Sequence, residues 1–159
     1  MRVNKVIMDP CVNLQTIYTI KPVKDPSSYK DLVGSRYTKE FYVCSAEDVR
    51  IDGDLYELHE ITYEHFDIIS DTLVGFISLT REKLLVKEAR IDAALYPEFV
   101  GMCYIQKFMP AIVNIAKASG FEILMATTSM NRRKAMENCG YRFVEETEED
   151  RGHFEYYVK

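Results

Sequence analysis

The sequence contains no tryptophan, and it has only seven glycines and five prolines among 159 residues. This composition excludes fibrous repeats and proline-rich linkers. The chain is 47% hydrophobic, which is enough apolar content to bury a core and excludes a disordered segment. Because 159 residues is the usual length of one domain, we expect residues 1–159 to form a single unit.

Paired cysteines are also missing. The four cysteines lie far apart, without a CxxC pair and without a histidine at zinc-ligand spacing: Cys11, Cys44, Cys103 and Cys139. The pattern indicates neither a metal site nor a disulfide framework. We therefore expect reduced cysteines, no bound metal and an intracellular location.

Basic charge is scarce. Lys and Arg total 20 against 25 Asp and Glu, which gives a net charge of −5, and no window gathers enough cations to neutralise a run of phosphates. We therefore expect no nucleic-acid partner. The densest basic run, Asn131 to Lys134, either holds one anion at the start of a helix or is a solvated helical face.

Long apolar runs are absent as well. The longest stretches are far shorter than the roughly 20 residues that cross a bilayer. The first ten residues, "MRVNKVIMDP", lack the apolar core of a signal peptide. We expect no membrane association and a cytoplasmic location.

The first half of the sequence contains strands that the pattern defines unevenly. Residues 13–23 are rich in β-branched side chains and predict a strand. "DPSSYKDLVGSR" predicts a short helix, and residues 37–58 are ambiguous. Three β-rich runs at residues 61–70, 72–80 and 84–95 then predict an antiparallel meander, with joints at "SD" (Ser70-Asp71) and "REK".

The second half alternates helices and strands. Apolar spacing predicts a long helix from Glu98 to Ser119 that ends at Gly120, in which Pro110 marks either a kink or a second helical start. Phe121 to Thr128 predicts a buried parallel strand. A short helix capped by Ser129 and stopped by Gly140 follows, and two strands joined around Arg151-Gly152 close the chain.

This order of elements resembles the GNAT superfamily of N-acetyltransferases. Three segments carry the resemblance: "LVGFISLT", "ALYPEFVGMCYIQKF" and "NRRKAMENCGYRFVE". It covers residues 61–159 best. It implies an α/β (α+β) fold in which helices flank a mixed, mostly antiparallel central sheet. We interpret the sequence as a divergent member of this superfamily, with a bacteriophage as the proposed source.

The resemblance also implies a coenzyme A site. In the family, backbone N–H groups at a glycine-rich helix start hold the pyrophosphate, and here that pattern falls on six residues: Val100, Gly101, Met102, Cys103, Tyr104 and Ile105. Only Gly101 keeps a glycine. The thioester would lie beside Ala93 and Leu95, with Asn131 as a further coenzyme contact. Lys107, Arg132 and Arg133 are the candidate compensating cations.

Catalytic residues are less well marked. Amine acylation needs a base for the amine and an acid for the leaving thiolate. The tyrosine that many family members use as the acid is replaced by Met136, so Tyr141 is the candidate acid. Glu88 and Asp92 are the candidate bases, with a second set at Glu57, His59 and Glu60.

The resemblance implies one of two functions, and a third interpretation, an unrelated α/β structural domain, requires the matching order of elements to be a coincidence. In the first, the protein transfers an acetyl or acyl group from coenzyme A to an unknown small-molecule or protein amine. In the second, the scaffold has lost the coenzyme and binds a protein partner, for example as a phage virion or host-directed protein in the virion or host cytoplasm. The missing glycines and Met136 favour the second, and the order of elements favours the first.

Overall fold

A computed structural model describes residues 14–23, 54–81, 87–99, 104–148 and 150–158. The predicted helix in "DPSSYKDLVGSR" lies outside these residues, as does most of the ambiguous stretch 37–58. The predicted pyrophosphate residues Val100 to Cys103 also lie outside them.

The described residues form strands and helices in an order close to the predicted one. The strands are β1 (Leu14–Pro22), β2 (Asp54–Glu64), β3 (Asp67–Arg81), β4 (Glu88–Leu95), β5 (Ile123–Ser129), β6 (Arg142–Glu148) and β7 (Arg151–Tyr157). The α-helices are α1 (Tyr104–Ala118) and α2 (Arg133–Asn138), and single 3-10 turns cover Pro97–Phe99 and Met130–Arg132.

The seven strands form one sheet in the order β1-β2-β3-β4-β5-β7-β6. Every neighbouring pair is antiparallel except β4 and β5, which are parallel. The crossover between these two strands is α1, as a parallel connection requires. The predicted mixed, mostly antiparallel sheet with flanking helices is confirmed.

The core lies between the sheet and α1. Phe108, Ile112 and Ala116 recur at four-residue spacing along α1 and are fully buried. Tyr18 of β1 packs edge-on against Phe108, with ring centroids 5.4 Å apart, so α1 also covers the outer strands. Pro110 lies inside this one continuous helix and does not begin a second one. The predicted start at Glu98 was wrong, because Pro97–Phe99 forms a separate 3-10 turn.

The predicted joint at Ser70-Asp71 was also wrong. Both residues lie within β3, and the chain turns instead at His65 and Phe66, where His65 adopts a left-handed φ of 57°. Asp71 pairs with Ile61 of β2 and binds His59 and Lys21 through its carboxylate, which explains a polar residue inside a strand.

The C-terminal elements match the prediction except at their joints. Gly140 ends α2 with a φ of 99°, and Gly120 follows α1 with a φ of 83°, as predicted for left-handed stops. Ser129 belongs to β5 and makes no capping hydrogen bond, so that prediction was wrong. The final hairpin turns at Asp150, with a φ of 61°, and not at Arg151-Gly152, which begin β7.

A cleft between diverging strands

The two parallel strands pair over only a short length. Residues Glu88 to Arg90 of β4 pair with Ile123 to Met125 of β5, and the pairing continues no further. Beyond this point the strands enclose a cleft of about 330 Å³, which is in the range of small-ligand sites. The start of α1 and one side of α2 form its other walls.

The residues that line the cleft come from five parts of the fold. They are Ile91, Asp92, Ala93 and Leu95 of β4; Phe99; Tyr104, Ile105 and Gln106 of α1; Ala126, Thr127 and Thr128 of β5; and Arg132, Ala135, Met136, Asn138, Cys139 and Tyr141 in and around α2. The lining is mostly apolar, with a few polar groups.

Six sequence-predicted site residues meet in this cleft: Ala93, Leu95, Tyr104, Ile105, Asp92 and Tyr141. Two others do not line it. Glu88 lies at the closed end, where β4 still pairs with β5, and Asn131 is exposed in the turn before α2.

Asp92 is the acidic residue of the lining. Its side chain is 9% exposed, and its Oδ1 accepts hydrogen bonds from Nε (3.2 Å) and Nη2 (3.1 Å) of Arg90. These two hydrogen bonds hold the carboxylate group at the wall of the cleft, where it can attract a cationic group that enters.

Tyr141 is the most buried polar side chain at the inner wall. Burial raises the pKa of its hydroxyl far above the ordinary value, and nearby Cys139 and Tyr156 add to the effect. The structure gives this hydroxyl no hydrogen-bond partner among the described residues. It is therefore a permanently protonated donor that is available to a ligand.

Tyr104, the first residue of α1, joins the cleft to the outer strands. Burial raises the pKa of its hydroxyl, and a hydrogen bond to Glu60 of β2 raises it further. The ammonium of Lys107 lies over the Tyr104 ring at 4.6 Å and over the Tyr18 ring at 5.5 Å. Lys107 and Glu60 thus position Tyr104 and do not themselves line the cleft.

The three candidate cations differ in their surroundings. Arg132 lines the cleft, and no ion pair joins it to another described residue. Arg133 lies over the Phe143 ring at 4.1 Å, and its Nε is 3.5 Å from Glu137. Arg132 is therefore the candidate that can contact an anionic ligand in the cleft.

Sequence reasoning missed several lining residues. Thr127 and Thr128 are the last two residues of the predicted parallel strand. Their position at the carboxyl end of a strand next to a crossover was the available signal. Asn138 and Cys139 lie at the end of α2, where no residue pattern distinguishes them from a solvated helix end.

The second set of candidate bases lies elsewhere. His59 is 2.6 Å from Asp71 through Nδ1 and 2.8 Å from Glu57 through Nε2, and this network does not line the cleft. Across the described ranges, no three of His, Cys, Asp and Glu gather in a way that would hold a metal ion. No helix of the described chain is long and apolar enough to cross a membrane.

No family model matches the sequence, and no curated protein matches it significantly. Solved structures do match the fold. A domain from Methanocaldococcus jannaschii superposes with a TM-score of 0.61 at 14% identity, over 90% of this chain and 99% of that one. A GNAT-family acetyltransferase from Bacillus anthracis gives 0.56 at 13%, over 91% and 99%.

A third similar structure contains ligands. Spermidine N-acetyltransferase from Vibrio cholerae, in complex with coenzyme A and spermine, gives a TM-score of 0.60 at 11% identity, over 89% of this chain and 95% of that one. The chain therefore has the fold of the GNAT acetyltransferases, and its identity to these structures is that of a divergent sequence.

Proposed function

We propose that the cleft binds an acyl-coenzyme A and that the protein transfers the acyl group to an amine. The premise is the GNAT fold, and the observation that carries the proposal is the divergence of β4 and β5 around two buried polar residues, Asp92 and Tyr141. A linear ligand with amide groups, such as the pantetheine arm, suits a gap between two strands because it can lie there as an added strand.

Different walls of the cleft would bind different parts of the coenzyme. Ala93 and Leu95 would flank the pantetheine arm, and the predicted pyrophosphate residues Val100 to Ile105 would bind the pyrophosphate beside the positive end of α1, which begins at Tyr104. Arg132 supplies a cation that offsets the missing glycines. The bound coenzyme supplies an activated thioester, and these residues bind and orient it.

Asp92 and Tyr141 fit two further tasks. The Asp92 carboxylate attracts the ammonium form of an acceptor. Tyr141 retains its proton, so it donates a hydrogen bond to the sulfur side of the thioester and does not give the proton away. Tyr141 thus remains the candidate residue for the leaving thiol group, but it acts as a hydrogen-bond donor and not as an acid.

A matched pair of tryptophan variants tests the binding site. Ala135 is an exposed residue of α2 on the cleft wall, and Ala118 is an exposed alanine at the end of α1 outside the cleft. We expect calorimetric titration of acetyl-coenzyme A to give micromolar binding for the wild type and for Ala118→Trp. Ala135→Trp should bind at least about tenfold more weakly.

The second step is an acceptor screen. Spermine and spermidine come first, because a structure with this fold contains spermine. Absence of binding at millimolar acetyl-coenzyme A would overturn the acyltransferase proposal.

The alternative is a catalytically inactive GNAT-fold protein that binds a protein partner. Phe66, Ile68 and Ile69 at the β2–β3 turn are 97%, 57% and 52% exposed, which favours such a contact. Replacement of all three by serine would abolish partner binding under this alternative and leave coenzyme binding unchanged under the first.

A further inference from the structure

Three side chains on β7 form a hydrogen-bonded chain. Nε2 of His153 is 3.3 Å from Oε2 of Glu155, and the hydroxyl of Tyr157 donates to Oε1 of Glu155 at 3.2 Å. The residues are two apart along a strand, so all three point to the same face of the sheet. Glu155 is thus held through both oxygens.

This face is opposite to the one covered by α1. Arg90, Met125 and Glu155 form one row across β4, β5 and β7, and Thr127 pairs with His153 one step further along. By contrast, Phe154, between His153 and Glu155, is fully buried in the core that α1 shares. A ligand amine that approaches from the His153 side would not compete with a coenzyme held between α1 and α2.

The row lies beside the point at which the cleft begins. Pairing between β4 and β5 ends at Arg90 and Met125, and the next residue outward on the same face of β4 is Asp92. Thr127, the strand partner of His153, lines the cleft. Two strand spacings of about 4.8 Å separate the β4 and β7 backbones by roughly 10 Å where the three strands pair, and the divergence of β4 from β5 makes the separation of Asp92 and His153 larger than this. The wider gap leaves room for an amine between the two side chains.

The hydrogen bonding suits His153 to accept a proton. Glu155 can only accept when ionised, so Nε2 of His153 donates to it, and in the neutral ring Nδ1 then carries the lone pair. The described residues give Nδ1 no hydrogen-bond partner. Imidazole is a common general base in catalysis, whereas Oδ1 of Asp92 is already occupied by two hydrogen bonds from Arg90.

We propose that His153 is the general base that deprotonates the acceptor amine, and that Glu155 and Tyr157 are positioning residues that hold its ring. This inference rests on the proposed function. Nδ1 of His153 takes one proton from the ammonium, and the freed nitrogen forms a bond to the thioester carbonyl carbon. The carbon–sulfur bond breaks, the sulfur takes the second nitrogen proton, and His153 returns its proton to water.

The chain has three histidines, which makes His153 directly observable. In proton NMR spectra the ring resonances are assigned with His153→Gln, His59→Gln and His65→Asn. We expect saturating acetyl-coenzyme A to move the His153 resonance and to leave that of His65, at the exposed β2–β3 turn, unchanged. A His153 resonance that does not respond to bound coenzyme would overturn the placement.

Kinetics test the role. With acetyl-coenzyme A and a panel of spermine, spermidine and a lysine-containing peptide, His153→Gln should lower kcat/KM by about 10²- to 10⁴-fold. Its coenzyme affinity should match that of the wild type, and the rise of kcat/KM with pH should lose its inflection. Glu155→Gln and Tyr157→Phe should give smaller losses, in that order, and His65→Asn none.

The outcomes separate this inference from the function on which it rests. Failure of the wild type to bind acetyl-coenzyme A overturns both. Normal binding with transfer by His153→Gln within about threefold of the wild type, or with the pH inflection retained, overturns only the role of His153. Binding without transfer to any amine of the panel overturns the transfer that the proposed function requires and, with it, the role of His153.

Discussion

Nδ1 of His59 lies 2.6 Å from Oδ1 of Asp71, across two neighbouring strands of the sheet. Lys21 binds the other oxygen of Asp71 at 3.2 Å, and Nε2 of His59 is 2.8 Å from Glu57. The network therefore links β1, β2 and β3 through side chains as well as through the backbone.

The hydrogen bond from His59 lowers the pKa of Asp71 below its ordinary 3.8, and Lys21 adds to this effect. A lowered folded-state pKa stabilises the fold above pH 3.8, and the stabilisation is lost as the pH falls through the lowered value. We expect Asp71→Asn to cost about 0.5 kcal/mol at pH 6, since the pair is partly exposed.

Urea unfolding at pH 6 and pH 3 measures this effect. The difference between wild type and Asp71→Asn should shrink at pH 3. Asp67→Asn on the same strand is the control and should change little at either pH. A difference that is equal at both pH values would show that the charge of Asp71 does not contribute.

Gly75 lies where β3 meets the end of β4. A Cβ there would be 2.2 Å from the Ala94 carbonyl oxygen and 2.9 Å from Leu95 Cα, and backbone atoms cannot move aside cheaply. We expect Gly75→Ala to destabilise the protein by about 3 kcal/mol.

Gly152→Ala is the matched comparison for Gly75. Its Cβ would meet chiefly the Met130 sulfur, at 2.6 Å, and a flexible side chain can shift. The expected cost is about 1 kcal/mol, smaller than at Gly75. Thermal unfolding measures both, and an equal cost would contradict the distinction between backbone and side-chain obstruction.

Arg132 and Arg133 are neighbours with different contacts, and they give a second matched pair. Arg132→Gln should weaken coenzyme A binding about five- to tenfold and reduce its salt dependence, because a cation on the cleft wall is lost. Arg133→Gln should leave binding unchanged and slightly lower stability, because it removes contacts to Phe143 and Glu137. Calorimetry at two salt concentrations separates them.

The buried hydroxyl of Tyr141 makes no hydrogen bond with the described residues. Tyr141→Phe should leave the free energy of unfolding within about 1 kcal/mol of the wild type or raise it, since no hydrogen bond is lost. Acyl transfer should fall about tenfold or more if the hydroxyl donates to the thioester. A clear loss of stability would show that the hydroxyl has a structural partner instead.

The order of strands and helices could be predicted from the sequence because apolar periodicity and glycine stops dominate it. Phe108, Ile112 and Ala116 gave α1 by their spacing, and Gly120 and Gly140 gave the ends of the two helices. The β2–β3 turn could not be placed for two reasons. His65 adopts a left-handed conformation although it is not a glycine. Asp71 is a residue type common in turns, but here it lies within β3 and forms ion pairs with His59 and Lys21.

The candidate site was predictable where the resemblance to the GNAT superfamily places residues on known elements. Ala93, Leu95 and Ile105 were predicted in this way, at the end of β4 and the start of α1, and the candidate residues Asp92 and Tyr141 also lie in the cleft. The His153, Glu155 and Tyr157 chain depends on β7 lying beside β5, which is a tertiary fact. The sequence signal, three polar side chains at two-residue spacing, is ordinary in any strand.

Among the described residues, strand pairing joins the two halves of the sheet through three residue pairs between β4 and β5. A molecule bound in the gap from Ile91 to Leu95 would bridge β4 and β5 where the two strands do not pair. The concentration of this ligand would then raise the free energy of unfolding, since a ligand present at 100 times its dissociation constant adds about 2.7 kcal/mol. The folded fraction of the protein would therefore increase when the ligand is abundant and decrease when it is scarce.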